Sequence, residues 1–249
     1  MNLFETGPVK HFMKFITEGH ERSIRAKKNI VSSLLIRVAS IAISFVSLPL
    51  TLSYVDSSTY GVWLTLSSIV SWFAFFDIGL TQGLRNKFAV AKAKGDDRLA
   101  QTYVSTTYAI LAIVFACVWL VFLIVNNFLD WSKILNVSVE MRADVTTLAI
   151  IVFTYFCISF VFKIITTILY ADQYPARASL IDLLGQALSL IIIFILIKTT
   201  EGSLTKLGLA LCIAPLLVLG AANFVLFKRK YSKYSPVLSR VKFIYARDL

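Results

Sequence analysis

Four ionisable side chains interrupt long apolar stretches of this 249-residue chain: Arg37, Asp77, Lys163 and Asp182. A charge at the middle of a bilayer costs about 2.5–3.5 kcal/mol, so each needs a partner, water or a task. Counted from the ends of their apolar runs, all four fall about 9–12 Å inside one membrane boundary, at 1.5 Å of helix rise per residue. Two are cations, able to grip phosphate oxygens. Two are carboxylates, able to take up protons where burial raises their pKa. One explanation is a polar layer at one end of a central cavity. The other is that Arg37 and Lys163 snorkel to the headgroups while Asp77 pairs with Arg37 to hold two helices together. A short acidic side chain cannot snorkel far, which makes the aspartates the stronger sign of a wet interior.

Around Arg37, the residues Ser33, Ser40, Ser44, Ser47 and Thr51 continue one helical face at steps of three and four. Such a stripe is either a tight packing seam or the wall of an aqueous path, and the arginine within it favours the path. Asp182 and Gln186 form a similar pair four residues apart. Pro49 and Pro215 are expected to bend their helices, and Gly79 and Gly83 to pack against a neighbour.

Enzymatic chemistry has little to build on. The sequence holds no P-loop, nucleophile elbow or H-E-x-x-H motif. Its two histidines, His11 and His20, lie in the polar N-terminal tail, and Cys117, Cys157 and Cys212 sit singly in apolar runs. We therefore expect no enzyme, no cofactor and no metal.

These residues must be positioned by membrane helices. Hydrophobic residues make up 57% of the chain and charged ones only 16%, too few to clothe a water-soluble domain. Six stretches are long enough to span: Asn29–Tyr54, Thr59–Leu84, Tyr103–Asn127, Val145–Tyr170, Ala176–Lys198 and Leu204–Phe227. Each must be helical to pair its own backbone, so the expected class is an all-α membrane protein. Residues 1–28 form a basic tail, in which Val9, Phe12 and Ile16 suit a short interfacial helix or an unstructured arm. Residues 228–249 form a second basic tail or a linker. Of the 25 lysines and arginines, 19 fall on one side and four on the other. The positive-inside rule then places both termini in the cytoplasm, as an even number of spans requires. The net charge of +11 is a signal of topology, and no nucleic-acid partner is expected. Trp63, Trp131, Tyr54 and Tyr60 toward one face, and Tyr103, Tyr170 and Tyr174 toward the other, fit an aromatic belt.

Tyr60-Gly61-Val62-Trp63-Leu64 is followed by Asp77-Ile78-Gly79-Leu80 and by Gly83-Leu84-Arg85-Asn86-Lys87. Upstream stand Lys28-Asn29-Ile30 and Leu48-Pro49-Leu50. In this order and spacing the chain resembles the N-terminal half of bacterial polysaccharide flippases, the Wzx-like O-antigen and capsule exporters. These belong to the multidrug/oligosaccharidyl-lipid/polysaccharide exporter superfamily. The resemblance is sharp from Lys28 to about Tyr108 and extends in pattern to the C-terminus. It implies one six-helix lobe of a two-lobed alternating-access exporter in the bacterial cytoplasmic (inner) membrane. The implied substrate is an undecaprenyl-diphosphate-linked oligosaccharide used in polysaccharide biosynthesis. Candidate pathway residues are Arg37, Ser40, Ser44, Ser47, Asp77, Lys163, Asp182 and Gln186. Members of that family are about twice this length, so a second six-helix lobe is missing here. The alternatives are a lobe of a multidrug exporter of the same superfamily and an inactive truncated fragment.

Overall fold

In lipid an apolar segment has no water with which to pair its N–H and C=O groups, and helix is the solution a single segment can reach alone. The computed structural model describes residues 21–72 and 79–248, and among them there is helix and no strand. In chain order the helices are α1 (Glu21–Tyr54), α2 (Ser57–Trp72), α3 (Leu80–Ala93), α4 (Asp97–Asn126), the short α5 (Trp131–Ile134), α6 (Arg142–Phe162), α7 (Ile164–Ala171), α8 (Pro175–Thr199) and α9 (Leu204–Lys228). Five stretches among the described residues are long and apolar enough to cross a bilayer: Lys27–Tyr54, Asp97–Asn126, Val139–Ala171, Pro175–Thr199 and Leu204–Lys228. The expected span Thr59–Leu84 corresponds to α2 and the first residues of α3. Asp77 and the remainder of 73–78 lie outside the described residues, as does the expected interfacial segment around Val9, Phe12 and Ile16.

The helices form a chain of neighbours. α1 packs along α8, α8 on α9, α9 on α6, α6 on α4 and α4 on α3, while α3 also touches α7 and α2 leans on α6. The α6–α7 stretch is central, with half of its apolar window buried, whereas none of the α1 window is buried. Phenylalanines knit α4 to α6: Phe122 stacks on Phe153 at 3.9 Å, and Phe115 meets Phe156 edge-on at 5.7 Å. Beside them the Trp119 Nε1–H donates to Thr154 Oγ1 at 2.9 Å.

α1 is fastened to the α8 region at both ends. At one end the Tyr54 hydroxyl bonds Thr200 Oγ1 (2.9 Å) and the Glu201 carbonyl (3.0 Å). At the other, Asn29 Nδ2 donates to the Gln173 carbonyl at 3.0 Å. The aromatic-belt expectation is thus corrected at three positions. Tyr54, Trp131 and Tyr103 are buried, and the Trp131 indole N–H is satisfied internally by Asn126 Oδ1 at 2.7 Å. The polar atoms of Tyr54 and Trp131, and the Tyr103 ring, which meets Tyr245 edge-on at 5.4 Å, make contacts within the protein.

Gly79 departs from its expected role as a packing residue. It opens α3 at φ 76°, with open space around the position of a Cβ. It supplies a backbone turn that L-residues resist. Gly185 is a packing glycine: a Cβ there would lie 3.0 Å from Pro215 Cα, so α8 and α9 touch through backbone. Both Pro49 and Pro215 lie inside continuous helices. Gly185→Leu is expected to destabilise the bundle by about 3 kcal/mol through overpacking. Thermal unfolding in detergent should show this as a lowered midpoint, with Gly61→Ala, where nothing approaches within 4 Å, as a control whose midpoint does not fall.

The basic C-terminal residues do not trail away. After α9 come three short 3₁₀ turns, Ser232–Tyr234, Leu238–Arg240 and Phe243–Asp248, laid against α4. Tyr231 and Tyr234 are buried, and Thr102 to Thr107 of α4 are buried on every side.

Candidate functional site: charges at one level of the bundle

Because α1 and α8 run parallel, tied at their C-terminal ends through Tyr54–Thr200 and at their N-terminal ends through Asn29–Gln173, depth can be counted down each from the same end. Arg37 and Asp182 each lie 17 residues from Tyr54 and Thr199 respectively. That places both about 26 Å below the tie. Lys163 lies near this level too, close enough for its charge to act on Asp182. Asp182 and the Cys212 thiol in turn lie within electrostatic reach of the Tyr155 hydroxyl. Arg37, Lys163 and Asp182 are all exposed, and among the described residues none of them forms an ion pair. The Gln186 Oε1, one helical turn from Asp182, is buried without a hydrogen-bond partner among the described residues.

Lys163 owes its position to a break in the helix. At Lys163 the chain tightens, and the Thr166 N–H bonds the Lys163 carbonyl at 2.9 Å instead of the Phe162 carbonyl one residue earlier. The released Phe162 carbonyl accepts from Asn223 Nδ2 of α9 at 2.9 Å. Asn223 Oδ1 accepts in turn from the Tyr108 hydroxyl of α4 at 2.6 Å. Three helices are therefore clamped where Lys163 projects. Sequence reasoning missed Tyr108 and Asn223. An asparagine inside an apolar run was the available signal, under the same cost rule that singled out the ions.

The serine stripe divides. Ser33, Ser40 and Ser47 are half-buried and Thr51 is buried, whereas Arg37 and Ser44 are exposed. Several hydroxyls bond their own helix: Ser33 Oγ to the Ile30 carbonyl (2.8 Å), Ser44 Oγ to that of Ser40 (3.0 Å), and Thr51 Oγ1 to that of Ser47 (2.8 Å). Such back-bonding satisfies a hydroxyl without water. The seven-residue spacing of Ser33, Ser40 and Ser47, on a helix that packs chiefly along α8, fits a packing seam. Arg37 and Ser44 sit on its exposed flank.

A second charged cluster closes the basic end. Asp172, in the α7–α8 turn, receives Lys92 from the end of α3, Lys230 Nζ at 2.8 Å, and the Tyr231 hydroxyl at 2.9 Å. Burial alone would raise the Asp172 carboxyl, but the donors Lys230, Lys92 and Tyr231 outweigh it and hold the group below the ordinary carboxylate range. Burial and the bond to Asp172 push the Tyr231 hydroxyl up, so it stays a donor at neutral pH. The three partners are 80, 58 and 59 residues away in sequence, too remote for any spacing rule to find.

Among the described residues no group of three metal-ligating side chains gathers at either cluster. Cys157 and Cys212 are buried, while Cys117 is exposed on α4. No protein-family model, curated protein or solved structure matches this chain.

Proposed function

We propose that this chain is one lobe of a bacterial inner-membrane transporter that moves lipid-linked oligosaccharide during polysaccharide biosynthesis. The observation that carries the reading is that Arg37, Lys163 and Asp182 lie at one level of an apolar bundle and form no ion pair among the described residues. Charges that serve only to hold helices together would be paired, because an unpaired ion in lipid gives up several kcal/mol for nothing. The specific substrate class rests on the sequence resemblance between Lys28 and Tyr108. Arg37 and Lys163 are suited to the diphosphate, and Asp182 to proton uptake during the cycle. A second lobe, supplied by further chain or by a partner, would face the exposed flank that carries Arg37.

In the complete transporter, Arg37→Ala is expected to lower surface polysaccharide more than about tenfold, the effect of losing about 2 kcal/mol of charge-assisted binding. Immunoblotting should find the protein at its normal level. Normal polysaccharide would remove Arg37 from the pathway, and drug resistance lost in its place would favour the multidrug reading.

A further inference from the structure

We propose that residues 232–247 form a foot that binds anionic phospholipid headgroups at the basic end of the bundle. The segment is pinned to α4 mainly through backbone groups. Gln101 Nε2 donates to the Ser235 carbonyl (3.0 Å), the Val237 N–H to Ser105 Oγ (3.0 Å), and the Lys242 N–H to Thr106 Oγ1 (3.1 Å). The pins leave the side chains free to point outward. Leu238 is 88% exposed, Ile244 82% and Phe243 59%. Arg240, Lys242 and Arg247 stand between and beside them, all exposed.

The place of this surface identifies its occupant. Ser105 and Thr106 lie where the apolar run of α4 begins, two and three residues past Tyr103. Anything held against them sits at the lipid border and not in bulk water. From Lys228 to the C-terminus the chain carries seven basic residues and one acidic residue, Asp248. Apolar side chains that dip below the headgroups, with cations at headgroup height, are the pattern of an interfacial anchor. The charge is complementary to an anionic leaflet, which attracts basic residues within a Debye length. The turns are too short to be an amphipathic helix, so α4 supplies the rigidity that a helix would.

The test uses the full chain with its native cysteines replaced, Ile244→Cys labelled with an environment-sensitive fluorophore, and reconstitution into two kinds of vesicle. One is phosphatidylcholine alone, and the other is phosphatidylcholine and phosphatidylglycerol in equal parts. Spin-labelled lipid with the quencher just below the headgroup should quench the fluorophore about threefold more strongly in the anionic vesicles. The triple variant R240E/K242E/R247E, which alters only exposed side chains, should abolish the difference without changing the thermal midpoint. Equal quenching in both vesicles would overturn the role of charge. A blue-shifted fluorophore that no lipid quenches would show the surface covered by protein, a second lobe or a second copy, and would overturn the proposal. A water-like spectrum in both vesicles would do so as well.

Discussion

Replacing Asp182 with leucine is expected to give a protein that folds at least as well but no longer transports. Asp182 has no ion pair among the described residues and sits well inside the apolar part of α8. Removing a charge that faces water and holds no ion pair costs the fold little, and whatever part of it is desolvated returns some of an insertion cost that is at most about 2.5–3.5 kcal/mol. A residue kept for structure would behave in the opposite way, since breaking a paired buried ion destabilises by about 3–5 kcal/mol. Thermal unfolding in detergent and substrate flux in proteoliposomes, measured on the same preparation, separate the two. Lys163→Met should follow Asp182→Leu in both readouts, and the double variant should lose no more transport than either alone if the two act as a unit. A lower midpoint with transport intact would make Asp182 structural.

Asp172→Asn should have the reverse signature. It leaves Lys92 and Lys230 side by side without a counter-charge and takes the charged acceptor from Tyr231. The expected loss is about 3 kcal/mol, confined to the junction between α3, α9 and the C-terminal turns. At 1.4 kcal/mol per decade this raises local opening, and trypsin cleavage at the lysines and arginines of 228–247, by about 100-fold. The pH dependence follows from the depressed carboxyl. Its contribution is fully present above the unfolded-state value of about 3.9 and is lost only as pH falls through the lower folded-state value. Amide exchange in residues 229–247, corrected for its intrinsic pH dependence, should be flat between neutrality and pH of about 5. It should rise only in stronger acid.

Hydropathy set both ends of α8 and α9 within one residue, but only one end of α1 and of α4. At the Tyr54, Asn126 and Thr199 ends, the expected and observed limits agree within one residue. At the basic end α1 begins at Glu21 and not Asn29, and α4 at Asp97 and not Tyr103. The reason is physical: apolarity reports where lipid stops, while a helix runs on as long as its hydrogen bonds and caps allow. Asp96 caps α4 by accepting from the Leu99 N–H at 2.9 Å, seven residues before the apolar run begins at Tyr103. The burial of Thr102 to Thr107 could not be read from the sequence either, because it depends on a C-terminal segment more than 125 residues away folding back. Of the candidate pathway, the common depth of Arg37, Lys163 and Asp182 was legible, since it is only a count along helices. The fate of the serines was not. Whether Ser40 and Ser47 line water or a seam is set by where α8 lies, and no periodicity within one helix says which neighbour it meets.

Arg37, Lys163 and Asp182, without an ion pair among the described residues, are expected to face water and not acyl chains. Thiol accessibility tests this most directly, because only a hydrated thiol ionises and reacts with a charged, membrane-impermeant reagent. In a chain with its native cysteines replaced, Asp182→Cys, Lys163→Cys and Arg37→Cys should each react about 100-fold faster than Val121→Cys, an exposed position on the apolar surface of α4. If all four react at the same slow rate, the charged level borders lipid and no aqueous pathway passes through it.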